Sequence, residues 1–313
     1  MKKYSLGIDI GGTTVKLGLF NIEGELLHKW EIETRKIDNG KYILSDITES
    51  INSLLEERNI SKDELLGAGV GVPGPVKDDG TILGSVNLGW QVFNVSTTLQ
   101  ELLRIPIKVA NDANIAALGE MYKGGGKGYE NMIMVTLGTG VGGGVIINNN
   151  VIAGYTGSGG EIGHMNVNPH EKISCNCGRK GCLEQYASAT GIARLGREIL
   201  EKESCESKLR NIENITAKDV FDFAKENDEL SVRVVEKFSS ILGRALSNIS
   251  CICNPEVFVI GGGVSKAGDM LLENIKKHYS QNAFHATADT EFKLATLGND
   301  AGIFGGAKLA SEI

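Results

Sequence analysis

The sequence has no basic excess. Its 313 residues carry 32 Lys and Arg against 39 Asp and Glu, a formal net charge of −7 with a pI near 5.4, whereas a nucleic-acid binder needs a basic face. It has no long apolar run. The most apolar window, 132–147 (MIMVTLGTGVGGGVII), is interrupted by Gly and Thr and falls short of the ~20 residues a bilayer requires. No targeting segment is visible: MKKYSLGIDIGG passes from two lysines straight into a strand-like alternation, without an apolar h-region or cleavage site. There is no Walker sequence G-x-x-x-x-G-K-[ST], and the glycines follow no Gly-x-y period. These absences set aside nucleic acid, membranes and the P-loop, and we expect a cytoplasmic protein. Apolar residues at 41% and charged residues at 23% also set aside a disordered chain. The length allows one large domain or two.

What is abundant is glycine, 41 residues, about twice the usual share. That excess belongs in turns and in loops where backbone meets a ligand. Two segments are alike: 6–20 (LGIDIGGTTVKLGLF) and 133–147 (IMVTLGTGVGGGVII) each run strand, Gly/Thr turn, strand. Ile43, Ile47, Ile51, Leu54 and Leu55 recur at helical spacing. Strands are expected at 68–72 and 107–109, and a helix from about Ala113. Residues 186–203 and 232–249 read as long helices, the second burying Val232, Val235, Phe238, Leu242, Ala245, Leu246 and Ile249. A strand at 257–260 then runs into Gly261-Gly262-Gly263. Such alternation indicates an α/β protein. We expect a duplicated domain whose two hairpins face each other across a cleft. The first domain would span 1–115 and a larger second 116–313, with KGGGKG at 123–128 just beyond the boundary. A C-terminal helix at about 301–313 would pack back on the first domain.

Each Gly/Thr turn can offer backbone N–H groups to an anion. In the first, DIGGTTVK, Gly11 and Gly12 let amides approach phosphate oxygens while Thr13 and Thr14 add hydroxyl donors. Lys16 adds positive charge, and Asp9 is placed to hold Mg²⁺ directly or through water. The same residues also suit an ordinary tight hairpin. The second turn, Gly138-Thr139-Gly140, lies in a match to G-x-G-x-x-G, with Glu161 near the distance of a ribose contact. A dinucleotide fingerprint must open a helix, and here GGVIINNN continues as a strand, so a Rossmann site is rejected. The third loop, Gly261-Gly262-Gly263, would let an adenosine lie flat against backbone.

Six cysteines without a secretory signal point to a reducing compartment. Cys175, Cys177 and Cys182 cluster, with His164 upstream. One imidazole and three thiolates make a closed tetrahedral set for structural Zn²⁺, and Gly178 and Gly181 let the loop fold back. His170 competes as a ligand but sits in a polar loop and ranks below His164. Cys205, Cys251 and Cys253 lack a His partner and read as packing residues.

In chain order, DIGGTTVK at 9–16, GVPGPV at 71–76, NLGW at 87–90, AND at 110–112, LGTGVGGG at 137–144, GEIGHM at 160–165, CNCGRKGCLE at 175–184 and IGGG at 260–263 resemble the ROK family (repressors, open reading frames, kinases) of sugar kinases. The likeness covers essentially the whole chain. The cysteine motif and GEIGHM are its specific parts. Within the family the chain is most similar to bacterial ATP-dependent glucokinases, through NLGW followed by a strand and AND. The resemblance implies an actin/hexokinase-like ATPase fold and transfer of the γ-phosphate of ATP to the 6-hydroxyl of glucose. It implies that Asp112 is the general base, taking the proton of the attacking hydroxyl. Asp112 also suits the N-cap of the helix that follows.

Asn111, Glu161, His164 and Glu184 then resemble the family's sugar ligands, with Asn87 a further addition. Carboxylates and amides suit a polyol because each hydroxyl can donate to one and accept from the other. His164 would bind zinc with one ring nitrogen and a sugar hydroxyl with the other, so that the metal orients a substrate ligand. Glu184 also suits the first turn of a helix. The turns at 11–14 and 138–140 would grip the phosphates, and closing the cleft would expel water. Other readings stay open. They are a kinase for fructose, mannose, N-acetylmannosamine, N-acetylglucosamine or allose, side activity with polyphosphate, and a non-catalytic sugar-sensing regulator. Regulators of the family carry an N-terminal winged-helix domain, whereas this sequence starts a few residues before the first phosphate strand. Family members are commonly homodimers or homotetramers.

Overall fold

The computed structural model describes all residues, 1–313. In chain order, β1 (Tyr4–Ile10), β2 (Thr14–Asn21) and β3 (Leu26–Glu33) lead through a single turn α1 (Ile37–Gly40) to α2 (Ile43–Glu57) and β4 (Leu65–Val72). The short pair β5 (Thr81–Ile82) and β6 (Phe93–Asn94) precedes α3 (Val95–Leu103), β7 (Ile107–Asn111) and α4 (Asp112–Lys123). Then come β8 (Met132–Leu137), β9 (Val141–Ile147), β10 (Asn150–Val151), α5 (Glu184–Ala187), α6 (Ala189–Lys202), α7 (Ala217–Lys225) and α8 (Glu229–Cys253). The chain ends with β11 (Val257–Gly261), α9 (Asp269–Asn282), β12 (Glu291–Leu294) and α10 (Ala301–Ala310). The two main sheets run β3-β2-β1-β4-β7 and β10-β9-β8-β11-β12. The second repeats the order of the first. In each, the first strand of the hairpin is followed across the sheet by two parallel neighbours.

The chain divides into two compact units. The first comprises Met1–Gly128, Gly144–Gly160 and Leu297–Ile313, the second Tyr129–Gly143 and Glu161–Thr296. In the first unit the alternation of β1 sorts its residues onto two faces. Leu6, Ile8 and Ile10 join Val15, Leu17, Leu19 and the Ile43, Ile47 and Ile51 stripe of α2 in one core. On the opposite face stand glycines. A Cβ on Gly7 would lie 1.9 Å from the Ile303 carbonyl, and one on Gly69 2.1 Å from that of Gly306. These strands therefore meet the backbone of α10 directly. α4 does the same: a Cβ on Gly119 would lie 2.0 Å from the Ala301 carbonyl.

That contact corrects the expected boundary at 115/116. α4 is fixed to α10, so residues 116–128 stay with the first unit, and 144–160 return to it. α10 belongs to the first unit as well. In the second unit, α8 buries Leu230, Val234, Val235, Phe238, Leu242, Ala245 and Leu246. Val232, expected on that face, is 44% exposed; it lies two residues from Leu230 and Val234, about 200° around the helix. Cys251 is exposed and Cys205 and Cys253 are only partly buried, so Cys251 is not the packing residue its isolation suggested.

Candidate active site

Asp9 and Asn111 stand at the same end of the first sheet. Asp9 pairs with Gly71 of β4, and Gly71 with Ala110 of β7. The carboxyl ends of parallel strands are where open α/β sheets receive ligands. Asp9 is wedged against α10, since a Cβ on Gly302 would lie 2.5 Å from its Cγ. Burial pushes its carboxyl up to about 6, with Lys16 pulling it down and Asp112 adding to the rise. Lys16 faces Asp9 across the hairpin and donates to the Asn299 carbonyl at 3.0 Å. At the turn, the Gly11 N–H is taken up by the Thr14 carbonyl at 3.0 Å. The N–H groups of Gly12 and Thr13 have no backbone acceptor and are the ones that can reach an anion. Asn87 lies beside this turn, its Cβ 3.9 Å from where a Gly12 Cβ would be.

The helix cap is Asn111, not Asp112. Asn111 keeps an extended backbone and its Oδ1 accepts from Ala113 N at 2.9 Å and Asn114 N at 3.2 Å. Its Nδ2 donates to the Gly74 carbonyl at 3.1 Å, which ties the end of β7 to the Pro-containing loop after β4. Asp112, already helical, has Oδ1 2.9 Å from Ala113 N. The cap therefore fixes the direction in which Asp112 leaves the backbone.

In the second unit the turn 138–140 closes on itself through Gly138 N to the Gly140 carbonyl at 3.0 Å. It is also pinned to α6: Ala189 N donates to the Gly138 carbonyl at 2.8 Å, and the Thr190 hydroxyl to the Thr139 carbonyl at 2.9 Å. Ala189 also lines a pocket of about 320 Å³ with Phe221, Val264 and Gly263. The glycine loop holds that wall in place, because Gly262 has φ +82° and a Cβ there would meet the Leu137 carbonyl at 2.4 Å. A pocket with Phe221 and Val264 in its wall, next to a turn whose Thr139 and Gly140 N–H groups have no backbone acceptor, suits a base with its phosphates.

His164, Cys175, Cys177 and Cys182 offer ligand atoms that all lie within 4.8 Å of one another. Cys177 Sγ is 3.6 Å from Cys182 Sγ, and Cys175 Sγ is 3.9 Å from His164 Nδ1. Tetrahedral zinc with sulfur at ~2.3 Å sets its ligands about 3.8 Å apart, so spacing and donor set both fit that ion. His170 is exposed and lies outside the cluster. Glu184 reaches from the cluster toward the turn. Its Oε1 is 2.8 Å from Cys175 Sγ and 3.7 Å from His164 Nδ1, and a Cβ on Gly140 would lie 2.8 Å from its Oε2. Glu161 is exposed, and its carbonyl accepts from His164 N at 3.1 Å. Gly163 lets this segment lie on β9, since a Cβ there would be 2.1 Å from the Val141 carbonyl.

Comparison with known proteins decides the relationship: the ROK family profile matches residues 5–313. The chain belongs to the ROK family. It is 46% identical over 315 residues to a glucokinase of Halalkalibacterium halodurans, covering 99% of this chain and 96% of that one. It is 34% identical to a glucokinase of Thermotoga maritima, covering 98% and 97%. Among solved structures it matches a ROK family glucokinase from Streptomyces griseus in complex with glucose and AMPPNP, with TM-score 0.75 and 29% identity over 99% and 100% of the two chains. The fold is the actin/hexokinase-like fold of ROK sugar kinases.

Within this ROK fold the structure gathers the residues into two sets. Asp9, the first turn, Asn87, Asn111 and Asp112 belong to the first unit, and Glu161, His164, Glu184, the second turn and the glycine loop to the second. Sequence reasoning missed the pocket walls Ala189, Thr216, Phe221 and Val264, none of which carries a sequence signal for a ligand. It also missed Gly302, although two further glycines in a ten-residue helix, Gly305 and Gly306, hint at close backbone approach.

Proposed function

We propose that the chain is an ATP-dependent glucokinase that transfers the γ-phosphate to the 6-hydroxyl of glucose. The observation that carries the substrate is the 46% identity to a glucokinase along nearly the full length. Asp112, aimed by the Asn111 cap, accepts the proton of the attacking hydroxyl. Glu161, His164 and Glu184 hold the other hydroxyls, Asn111 offers its remaining N–H, and Asn87 completes the set. Gly12, Thr13, Thr14, Thr139 and Gly140 donate to phosphate oxygens, and the pocket beside Gly261, Gly262 and Gly263 receives the adenosine. Lys16 counters charge beside Asp9, which would hold Mg²⁺, and the ion when bound would supply charge neutralisation to the phosphates. His164, Cys175, Cys177 and Cys182 would hold zinc, which fixes the ring orientation of His164. No helix is long and apolar enough to cross a membrane. A cytoplasmic location and a homodimeric or homotetrameric assembly belong to the same reading.

The test is ADP release with Mg²⁺ against a panel of hexoses and N-acetylhexosamines, run on wild type and Asp112→Asn. Glucose is expected to give the highest kcat/KM, and the variant to keep glucose affinity while kcat falls by about 10³-fold, within the usual range for a lost general base. A different preferred sugar overturns the substrate, and near-normal kcat in the variant overturns the base.

A further inference from the structure

The second unit holds a cavity of about 770 Å³ that the chemistry above does not use, walled by the loop 167–173 and by sides of α6 and α8. Lys172, Lys202, Lys237 and Arg244 all line it, and none of the four makes an ion pair. Two acids also line it, but both are engaged elsewhere. Glu171 Oε2 accepts from Arg194 Nη1 at 2.9 Å and from the Tyr186 hydroxyl at 2.5 Å, while its Oε1 takes the N–H groups of Lys172 and Ile173. Glu198 lies 3.5 Å from the same Arg194. The cavity therefore presents unpaired positive charge in a chain whose net charge is −7.

Like charges gathered around one concavity repel, and a multivalent anion relieves that repulsion and is concentrated by the field. Lysine and arginine together suit a phosphate group, the one as a point charge and the other as a two-pronged donor. Val167 and Ile241 add apolar wall and Ser240 a hydroxyl, so there is room and chemistry for more than the anion alone. The geometry points to a second ligand site, for a phosphate-bearing small molecule, separate from the residues assigned to phosphoryl transfer. Its occupant would bear on those residues through the chain. The wall 167–173 is the stretch between His164 and Cys175, and Tyr186 on the cavity lies two residues after Glu184 in α5.

Calorimetry of the whole protein, saturated with glucose and Mg²⁺–AMPPNP so that the kinase site is filled, tests this with inorganic phosphate and glucose 6-phosphate as probes. Saturable binding of either probe is expected, weakened at least about tenfold by Lys237→Glu and by Arg244→Glu. KM for glucose and ATP, measured without probe, is expected to stay unchanged in both variants. The tighter of the two probes identifies whether a free anion or a phosphorylated sugar is the better occupant. Absence of binding to wild type, or binding that both variants leave intact, overturns the site. So does a change of oligomeric state on light scattering in Arg244→Glu, which would make this face a contact between copies. If a charge reversal unfolds the chain, Lys237→Gln and Arg244→Gln carry the same comparison. Because binding is read directly, failure here is independent of whether the glucokinase reading stands.

Discussion

Asp9 is a carboxylate set into a sheet, between Gly71 and Gly302, with its acidity shifted to about 6 mainly by burial. The sign of the consequence follows from proton counting. Between the ordinary value near 4 and about 6 the folded chain keeps a proton that the unfolded chain releases, so stability falls as pH rises through that window. Above it the ionised group destabilises the ligand-free fold and is available to a divalent cation. Asp9→Asn should therefore stabilise the Mg²⁺-free protein at pH 8 by on the order of 1–3 kcal/mol, with a smaller gain at pH 5, while turnover is lost. Urea unfolding at both pH values checks this, and an equal change at the two would show that burial of charge is not the source. That Asp9 faces Lys16 was readable from DIGGTTVK, since a two-residue turn fixes the register. That Asn111 rather than Asp112 caps α4 was not readable, because both residue types cap well and only the backbone path chooses between them.

The loop from Glu161 to Glu184 works as one element. The side chains that could hold a metal, the Glu184 carboxylate and the turn 138–140 are in successive contact. Purified protein should carry about one zinc per chain, and Cys177→Ser should lose it and raise the glucose KM together, because Glu184 rests against Cys175. Wild-type protein free of zinc on elemental analysis would remove the cluster from the account. Gly140→Ala separates this element from a plain phosphate turn. The added methyl would meet Glu184 Oε2 at 2.8 Å, so glucose KM should rise at least about tenfold through misplacement of that carboxylate. A rise confined to ATP would place Glu184 outside the sugar contacts. The cysteine spacing made the cluster legible, because thiolate sets for zinc follow short-range patterns. The pocket proposed for the adenosine was half legible: its glycines stand out, while Phe221 and Val264 look like any buried helical or loop apolar residue.

At the scale of the molecule the chain passes between its two units at 128/129, 143/144, 160/161 and 296/297. The first unit is therefore completed only by the last residues of the sequence. α10 supplies Ile303, Ala307 and Ala310, all essentially buried, and fills the space that Gly7, Gly69 and Gly119 leave open. Duplication of the Gly/Thr hairpin announced two similar sheets, but a boundary drawn along the sequence could not show that α4 and α10 cross backbone to backbone. Losing one buried isoleucine typically costs about 2–5 kcal/mol, against a whole-domain stability of about 5–15 kcal/mol. Ending the chain after Thr296 removes the entire helix and exposes the glycine face of β1 and β4. Hydrogen exchange should then show β1 and β2 losing protection while α8, whose buried face packs within the second unit, keeps its own. Persistent protection of β1 in the shortened chain would mean that α10 is dispensable to the sheet carrying Asp9. Protection lost equally in α8 would mean that the second unit cannot hold its fold alone. The expected pattern, one unit melting and the other standing, makes the end of the chain the piece that sets Asp9, Asn111 and Asp112 in place.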